Sequence, residues 1–561
     1  MPGKGPDRQH YFHLLDRLKT FFPSPVSNPI LDGYFVHTLS RFLEQVDDLK
    51  SAVPLLGQMR REHYEASQEE GFPESMGSLA EVTRTLVDCC QGMTIWSHPN
   101  AQVNVIPPST VASIMACMAA AIFNPNIIWD EYSARFAEAE VKTVAMLSRL
   151  LGYDPKRSGG VFTFGGTGTL LYGVKLGVEK LTGGRSMREG LREDLKILAS
   201  EVSHYSHLNV SGWLGMGTDH LVLIPTTRDN AMSLKALESY LRSAFAAGDK
   251  VAVIIATLGT TDAFGIDDLD AILALRNELA REYQLPRPPH VHADAVIGWA
   301  WAMFKDYDFE ANPLGFRART LRSLQHSLGR LGNLALADSL GIDFHKTGYA
   351  PYISSLFLTR DRQDLALLSR RPEEMPYLYQ FGQYHPGIYT LECSRAGTGA
   401  LAAYANLCLL GQEGYRLLIG HAVEMTELLR EELENHPFIE VLNDRNYGPV
   451  TLFRVYPEGV DPKEALPREF GDPAYRPELE RHNDYNRRIF QLIHDRAMRG
   501  EGVLLSWTEA YRHAGYGRES GPPVAALKSF ILSPWTDPSG VKLVAQQVKE
   551  ARAQVEAGGR F

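Results

Sequence analysis

Between residues 159 and 360 short β-branched runs alternate with helical periods, and this alternation constrains the chain more than any other feature. The runs are GGVFTF at 159–164, LKILAS at 195–200, HLVLI at 220–224, VAVIIATL at 251–258 and HVHAD at 290–294. They are apolar almost throughout instead of every second residue, which is the pattern of strands buried on both faces. Helical stretches at 233–246 and 268–283 separate them, the second opening on acidic residues suited to a helix N-terminus. The spacing predicts an α/β fold with a mostly parallel sheet covered by helices.

The flanking sequence differs. Residues 1–110 have little strand signal but carry Phe12, Leu14, Leu15, Phe21 and Phe22. Apolar residues without a core of their own need a partner, so this segment is expected to wrap a second subunit of a homodimer. Residues 111–385 form the expected large α/β domain and 386–561 a smaller α+β domain. The latter has helices at 398–418 and 422–434 and strands at Val450–Val455 and 528–532. The apolar stretch Val111–Phe123 is too short to span a bilayer and reads as a buried helix. A further helix is expected over 134–151. Glu140 falls on its apolar stripe, which predicts a buried carboxylate with a cationic partner.

Composition excludes several function classes. The chain of 561 residues has 57 basic and 67 acidic side chains, a formal charge of −10, and so no electrostatic footprint for nucleic acid or an anionic membrane. Five cysteines without CxxC spacing suggest no disulfide framework. The opening MPGKGPDRQH has no apolar signal core, so a cytoplasmic enzyme is expected.

Three motifs can carry chemistry. In Gly159–Leu171 a strand runs into the glycine-rich turn Gly165-Gly166-Thr167-Gly168-Thr169, which opens a helix. Bare N–H groups, the helix dipole and threonine hydroxyls can hold a phosphate there, although a ligand-free βα turn looks the same. It is no P-loop, and Leu171 breaks the G-x-G-x-x-G spacing. Lys346 follows a short apolar strand. Partial burial would lower its pKa and make it a nucleophilic amine, against the alternative of a snorkelling surface lysine. Asp294 ends the strand HVHAD, at the sheet edge where ligands of open parallel sheets sit, and it needs either a cation or a loop to cap.

In chain order these pieces resemble the pyridoxal-phosphate-dependent group II amino-acid decarboxylases, a family of fold type I. The resemblance begins at Trp96-Ser97-His98-Pro99 and passes through Trp129, Glu140, the GGTGT turn, His204, ATLGTT at 256–261, HADA at 292–295 and DFHK at 343–346. Beyond the lysine, Ser394-Arg395-Ala396-Gly397 and Gly411-x-x-Gly414-Tyr415 resemble the tyrosine decarboxylase and sphingosine-phosphate lyase branches. The resemblance implies that Lys346 carries the cofactor as an aldimine, that Asp294 meets the pyridine nitrogen and that His204 stacks on the ring. It further implies a phosphate cup at Gly166, Thr167 and Gly168, cofactor contacts from Thr260, Thr261, Val296 and His345, and substrate contacts from His98 and Arg395. Val296 stands where a small alanine usually lies, and Phe344 replaces a proline or small residue.

The activity implied is loss of CO2 from an L-amino acid, with the product carbanion protonated by a tyrosine on a mobile loop. Residues 366–390 are the candidate loop, with Tyr377, Tyr379, Tyr384 and Tyr389 on it and Tyr379 the first choice. Carbon–carbon cleavage of a phosphorylated amino alcohol, a Rossmann nucleotide enzyme and a non-catalytic cofactor-binding relative are the alternatives. Trp299, Trp301, Phe304 and Tyr307 read as packing more than as pocket lining.

Overall fold

The computed structural model describes residues 8–57, 63–375, 381–515 and 521–558. The chain forms two compact units, one of residues 1–95 with 496–501 and one of the remainder. In the first unit the helices Arg8–Lys19, Pro29–Asp48, Tyr64–Ser67 and Leu79–Cys89 bury none of their residues, and Phe12, Phe22, Ile30 and Val36 are exposed.

The second unit contains two sheets. Its strands begin with β1 (Ala101–Gln102), β2 (Gly159–Thr163), β3 (Leu195–Ser200) and β4 (Leu221–Ile224). They continue with β5 (Lys250–Thr257), β6 (His290–Asp294), β7 (Ser339–Asp343) and β8 (Ser355–Thr359). The last four are β9 (Ile439–Val441), β10 (Val450–Val455), β11 (Leu504–His513) and β12 (Pro523–Phe530). The large sheet has the order β2-β8-β7-β6-β5-β3-β4, parallel from β7 through β4 and antiparallel at β8. The five strand runs read from the sequence are all present. Missing from that reading is β8, which folds back beside β7 and inserts between it and β2.

The second sheet, β1-β11-β12-β10-β9, is built mostly from chain beyond residue 439. Two details show how the chain joins the two sheets. Ala101–Gln102 supplies an edge strand of this sheet, pairing with Leu504–Leu505. The element Thr398–Glu434 packs on the helices Val111–Phe123 and Arg135–Leu151 and also on β9 and β10, so it belongs to both lobes. Its break falls at Gly411, with φ 54° and ψ −167°, instead of the expected 418–422.

Trp299, Trp301, Phe304 and Tyr307 are buried in the core, as packing residues. The helix Val111–Phe123 is not buried in the single chain, because Val111, Met115 and Phe123 are 73%, 63% and 73% exposed. Gly173 lets the helix Gly166–Thr182 press onto β6, since a Cβ there would lie 2.2 Å from the His292 ring. That close approach fixes the helix whose first turn faces the sheet edge.

Glu140 has the partner its position demanded. Arg395 grips it with two bonds of 2.8 and 2.9 Å, both side chains at most 5% exposed. The carboxylate also accepts the Tyr384 hydroxyl at 2.8 Å and the Phe162 N–H of edge strand β2 at 2.9 Å. Arg395 also donates from Nη1 to the Phe162 carbonyl and from Nη2 to the Ile127 carbonyl. This cluster ties the chain around 384–395 to β2, so that part of the expected mobile loop is anchored. Removing one partner of a buried pair leaves an uncompensated charge, so Arg395→Ala should lower stability by about 3–5 kcal/mol. Urea unfolding measures this, and a loss below about 1 kcal/mol, the value of an exposed pair, would contradict the assignment.

Candidate active site

One sheet edge collects the motifs. Strands β3, β5, β6 and β7 run parallel, so the segments that follow them leave at the same edge. Strand β8 is antiparallel to both β7 and β2, and its first residue Ser355 is in register with Asp343 and with Thr163. The turn after β2 and the chain entering β8 therefore arrive at that edge too. They enclose a cavity of about 280 Å³.

Gly166, Thr167, His204, Thr260, Thr261, Asp294, Val296, His345 and Lys346 all line it. Gly168 lies deeper in the helix, its N–H donating to Gly165 O at 2.8 Å. Arg395, held by Glu140, is not a lining residue, nor is His98, whose Nδ1 accepts the Asn100 N–H at 3.1 Å. Tyr377 and Tyr379 fall outside the described residues. Tyr384 is described, but its hydroxyl is used by Glu140.

Gly165 starts the helix Gly166–Thr182 with φ +113°, a conformation glycine adopts without strain, and no side chain caps the helix. Its leading N–H groups thus meet the cavity uncapped, as an anion site requires. On the floor, Asp294 Oδ1 is buried with no hydrogen-bond partner. Burial pushes the Asp294 carboxyl up to about 6, against the pull of Lys346 and with the push of Asp343. Asp294 Oδ1 is left without a hydrogen-bond donor.

Lys346 departs from the sequence expectation. Burial alone would depress it, but the Asp343 carboxylate 2.9 Å from Nζ, reinforced by Asp294, holds the ammonium above its ordinary range. Asp343 itself is fully buried, accepts Ser355 Oγ at 2.5 Å, and lies 3.5 Å from His345 Nε2. Burial and the Lys346 ammonium push His204 below its ordinary range, and its Nδ1 accepts the Ser206 N–H at 3.2 Å. The turn after the lysine is rigid: Asn406 donates to the carbonyls of Gly348 and Tyr349 at 2.9 and 2.8 Å, and Thr347 donates to Ile297 O at 2.8 Å.

Sequence reasoning missed Asp343, Phe164, Tyr352 and Ile353 as lining residues. Asp343 had a usable signal, since it ends β7 as Asp294 ends the neighbouring β6. Tyr352 and Ile353 had none without knowledge that β8 returns to the same edge.

A lysine amine, a buried carboxylate with one oxygen unpartnered and an uncapped helix start gather at one edge of this α/β sheet, groups that a phosphorylated aldehyde would engage. Over residues 57–455 the chain matches the pyridoxal-dependent decarboxylase conserved domain, and it belongs to that family. It is 27% identical over 379 residues to an L-2,4-diaminobutyrate decarboxylase of Acinetobacter baumannii, covering 64% of this chain and 68% of that one. It is 25% identical over 441 residues to an aspartate 1-decarboxylase of Aliivibrio fischeri, covering 72% and 75%. With an L-tyrosine decarboxylase of Enterococcus faecalis it shares 27% identity over 271 residues, 45% of this chain and 41% of that one. Its fold is that of mouse CSAD, with TM-score 0.74, 18% identity and coverage of 93% and 99%. Catharanthus roseus tryptophan decarboxylase, solved with L-tryptophan, gives 0.71 at 17% identity, with coverage of 95% and 100%. The protein is a carboxy-lyase with pyridoxal phosphate as its cofactor, and the groups present fit that cofactor: an acceptor for a ring N–H, an amine for an aldehyde, and free N–H groups for a phosphate.

Neutralising Asp343 should leave burial as the dominant influence on Lys346, so its amine loses its proton at lower pH. In Asp343→Asn, the pH midpoint for reaction with added pyridoxal phosphate, followed by visible absorbance, should move down. An unmoved midpoint would show that the ion pair does not control the amine.

Proposed function

We propose that the cavity is the catalytic centre of an L-amino-acid decarboxylase for substrates with a neutral, preferably aromatic, side chain. The observation that carries the catalytic reading is the convergence of Lys346, Asp294 and the uncapped helix start on one cavity. Bound there, pyridoxal phosphate supplies the electron sink that makes loss of CO2 from an amino acid feasible. Lys346 supplies the amine that secures the aldehyde carbon. Asp294 would hold a proton on the ring nitrogen, because a buried carboxylate favours a protonated neighbour. The N–H groups of Gly166 and Thr167 would hold the phosphate, and the His204 ring and Val296, both lining the cavity, would contact the cofactor. Thr260, Thr261 and His345 line the same cavity and would complete the cofactor's surround.

The substrate class follows from the lining. Lys346 is the cation among the described lining side chains and is committed to the carboxylates, while Phe164, Tyr352 and Ile353 form an apolar rim. A side-chain carboxylate would meet no counter-ion there, which favours tyrosine-like over aspartate-like substrates.

The protein is proposed to act as a cytoplasmic homodimer. The rim residues Phe164, Tyr352 and Ile353 are 41%, 55% and 51% exposed, and the helix Val111–Phe123 presents Ile114, Met115 and Met118 outward. A second copy is the cover the resemblance implies. Among the described residues no helix is long and apolar enough to cross a membrane, and all five cysteines are free, which suits a reducing compartment.

A CO2-release assay across the amino acids, with added pyridoxal phosphate, is expected to give turnover with tyrosine or phenylalanine well above aspartate and diaminobutyrate. Asp294→Asn should retain some cofactor yet lose at least about a hundredfold in rate, since the ring nitrogen loses its anionic partner. Release from aspartate alone would overturn the substrate class, and normal turnover by Asp294→Asn would overturn the site. Met115→Glu should shift the sedimenting species from dimer to monomer, whereas an active wild-type monomer at micromolar concentration would contradict the dimer.

A further inference from the structure

The loop 259–265, which carries Thr260 and Thr261, has two faces. One lines the cavity. Within the loop, Thr260 Oγ1 accepts the Gly265 N–H at 2.8 Å and the Thr260 N–H donates to Gly265 O at 2.9 Å, which closes it on itself. Gly259 at φ +111° and Phe264 at φ +60° set its sharp path.

The other face is gripped by the lobe built on the second sheet. Lys528 of β12, its side chain only 7% exposed, donates from Nζ to Thr261 O at 3.0 Å and pairs with Asp262 Oδ1 at 2.7 Å. Thr508 of β11 donates to Asp262 Oδ2 at 3.4 Å. Asn443 Nδ2 donates to Ala263 O at 3.2 Å, and the Phe264 ring packs so tightly on Gly448 that a Cβ there would lie 2.2 Å from it. A buried ammonium is costly unless its donors are matched. Lys528 finds these acceptors in the cavity loop and not in its own sheet.

We propose that Lys528 is a positioning residue: from the smaller lobe it holds the Thr260–Thr261 segment against the cavity, so the grip on the cofactor depends on how that lobe is seated. The inference rests on the reading that this cavity holds pyridoxal phosphate. Lys528→Met keeps an unbranched side chain, one atom shorter, but leaves Thr261 O without this donor and Asp262 without this counter-ion. Asp262 is about half exposed, so Asp262→Ala removes the pair from the other side with little risk to folding.

The test uses the full-length holoenzyme. Its release of pyridoxal phosphate on dilution into a scavenging buffer is timed, and amide hydrogen exchange of 259–265 is compared with that of β5. Lys528→Met should release cofactor about tenfold faster, an effect carried in the dissociation rate. It should also speed exchange in the loop while leaving β5 unchanged. Lys528→Arg should recover part of both, and Asp262→Ala should show the same changes in smaller measure. Release within twofold of wild type together with unchanged loop exchange, in either Lys528→Met or Asp262→Ala, would overturn the proposal. Wild-type protein that retains no pyridoxal phosphate would instead overturn the cavity assignment, and loop exchange in the variants would still report on the clamp.

Discussion

A lysine held 2.9 Å from one buried carboxylate and facing a second is the interaction on which the rest of the site depends. Burial alone would push the ammonium towards losing its proton, and the adjacent carboxylates reverse that push. Together they persist because β6 and β7 are parallel neighbours whose last residues, Asp294 and Asp343, end at the same edge. The antiparallel return through β8 then turns the Lys346 loop back over them. Sheet topology thus creates the charge arrangement, and the arrangement suits the cationic ring and electrophilic carbon of the proposed reading.

The same logic runs outward from the edge. Strand β2 is an edge strand whose buried Phe162 N–H finds its acceptor in Glu140, and Arg395 neutralises Glu140. An arginine that the family resemblance casts on the substrate side is here a buried brace between the 384–395 segment and β2. On the opposite flank, Lys528 does comparable work between lobes. Three buried or nearly buried cations, Lys346, Arg395 and Lys528, each hold one of the segments that converge around the cavity.

Much of this was legible in sequence because it is local. Continuous apolar runs marked the central strands, glycines marked the turn after β2, and Glu140 on an apolar stripe announced a buried ion pair. What escaped was set by distant pairing. The return of β8 brings Tyr352 and Ile353 to the rim, and no periodicity reveals it. The reading of Lys346 as a depressed amine failed for the same reason, since burial was visible in sequence and the Asp343 contact was not. The helix Val111–Phe123 was read as buried because its composition is apolar, yet a single chain leaves one side of it uncovered.

The central claim is that Lys346, and no other lysine, is the attachment point of the cofactor. Borohydride reduction of the holoenzyme, followed by proteolysis and mass spectrometry, tests it directly. The account predicts a single pyridoxyl-modified peptide with the label on Lys346. A label on a different lysine, or an unlabelled Lys346 in protein that has bound pyridoxal phosphate stoichiometrically, would contradict it.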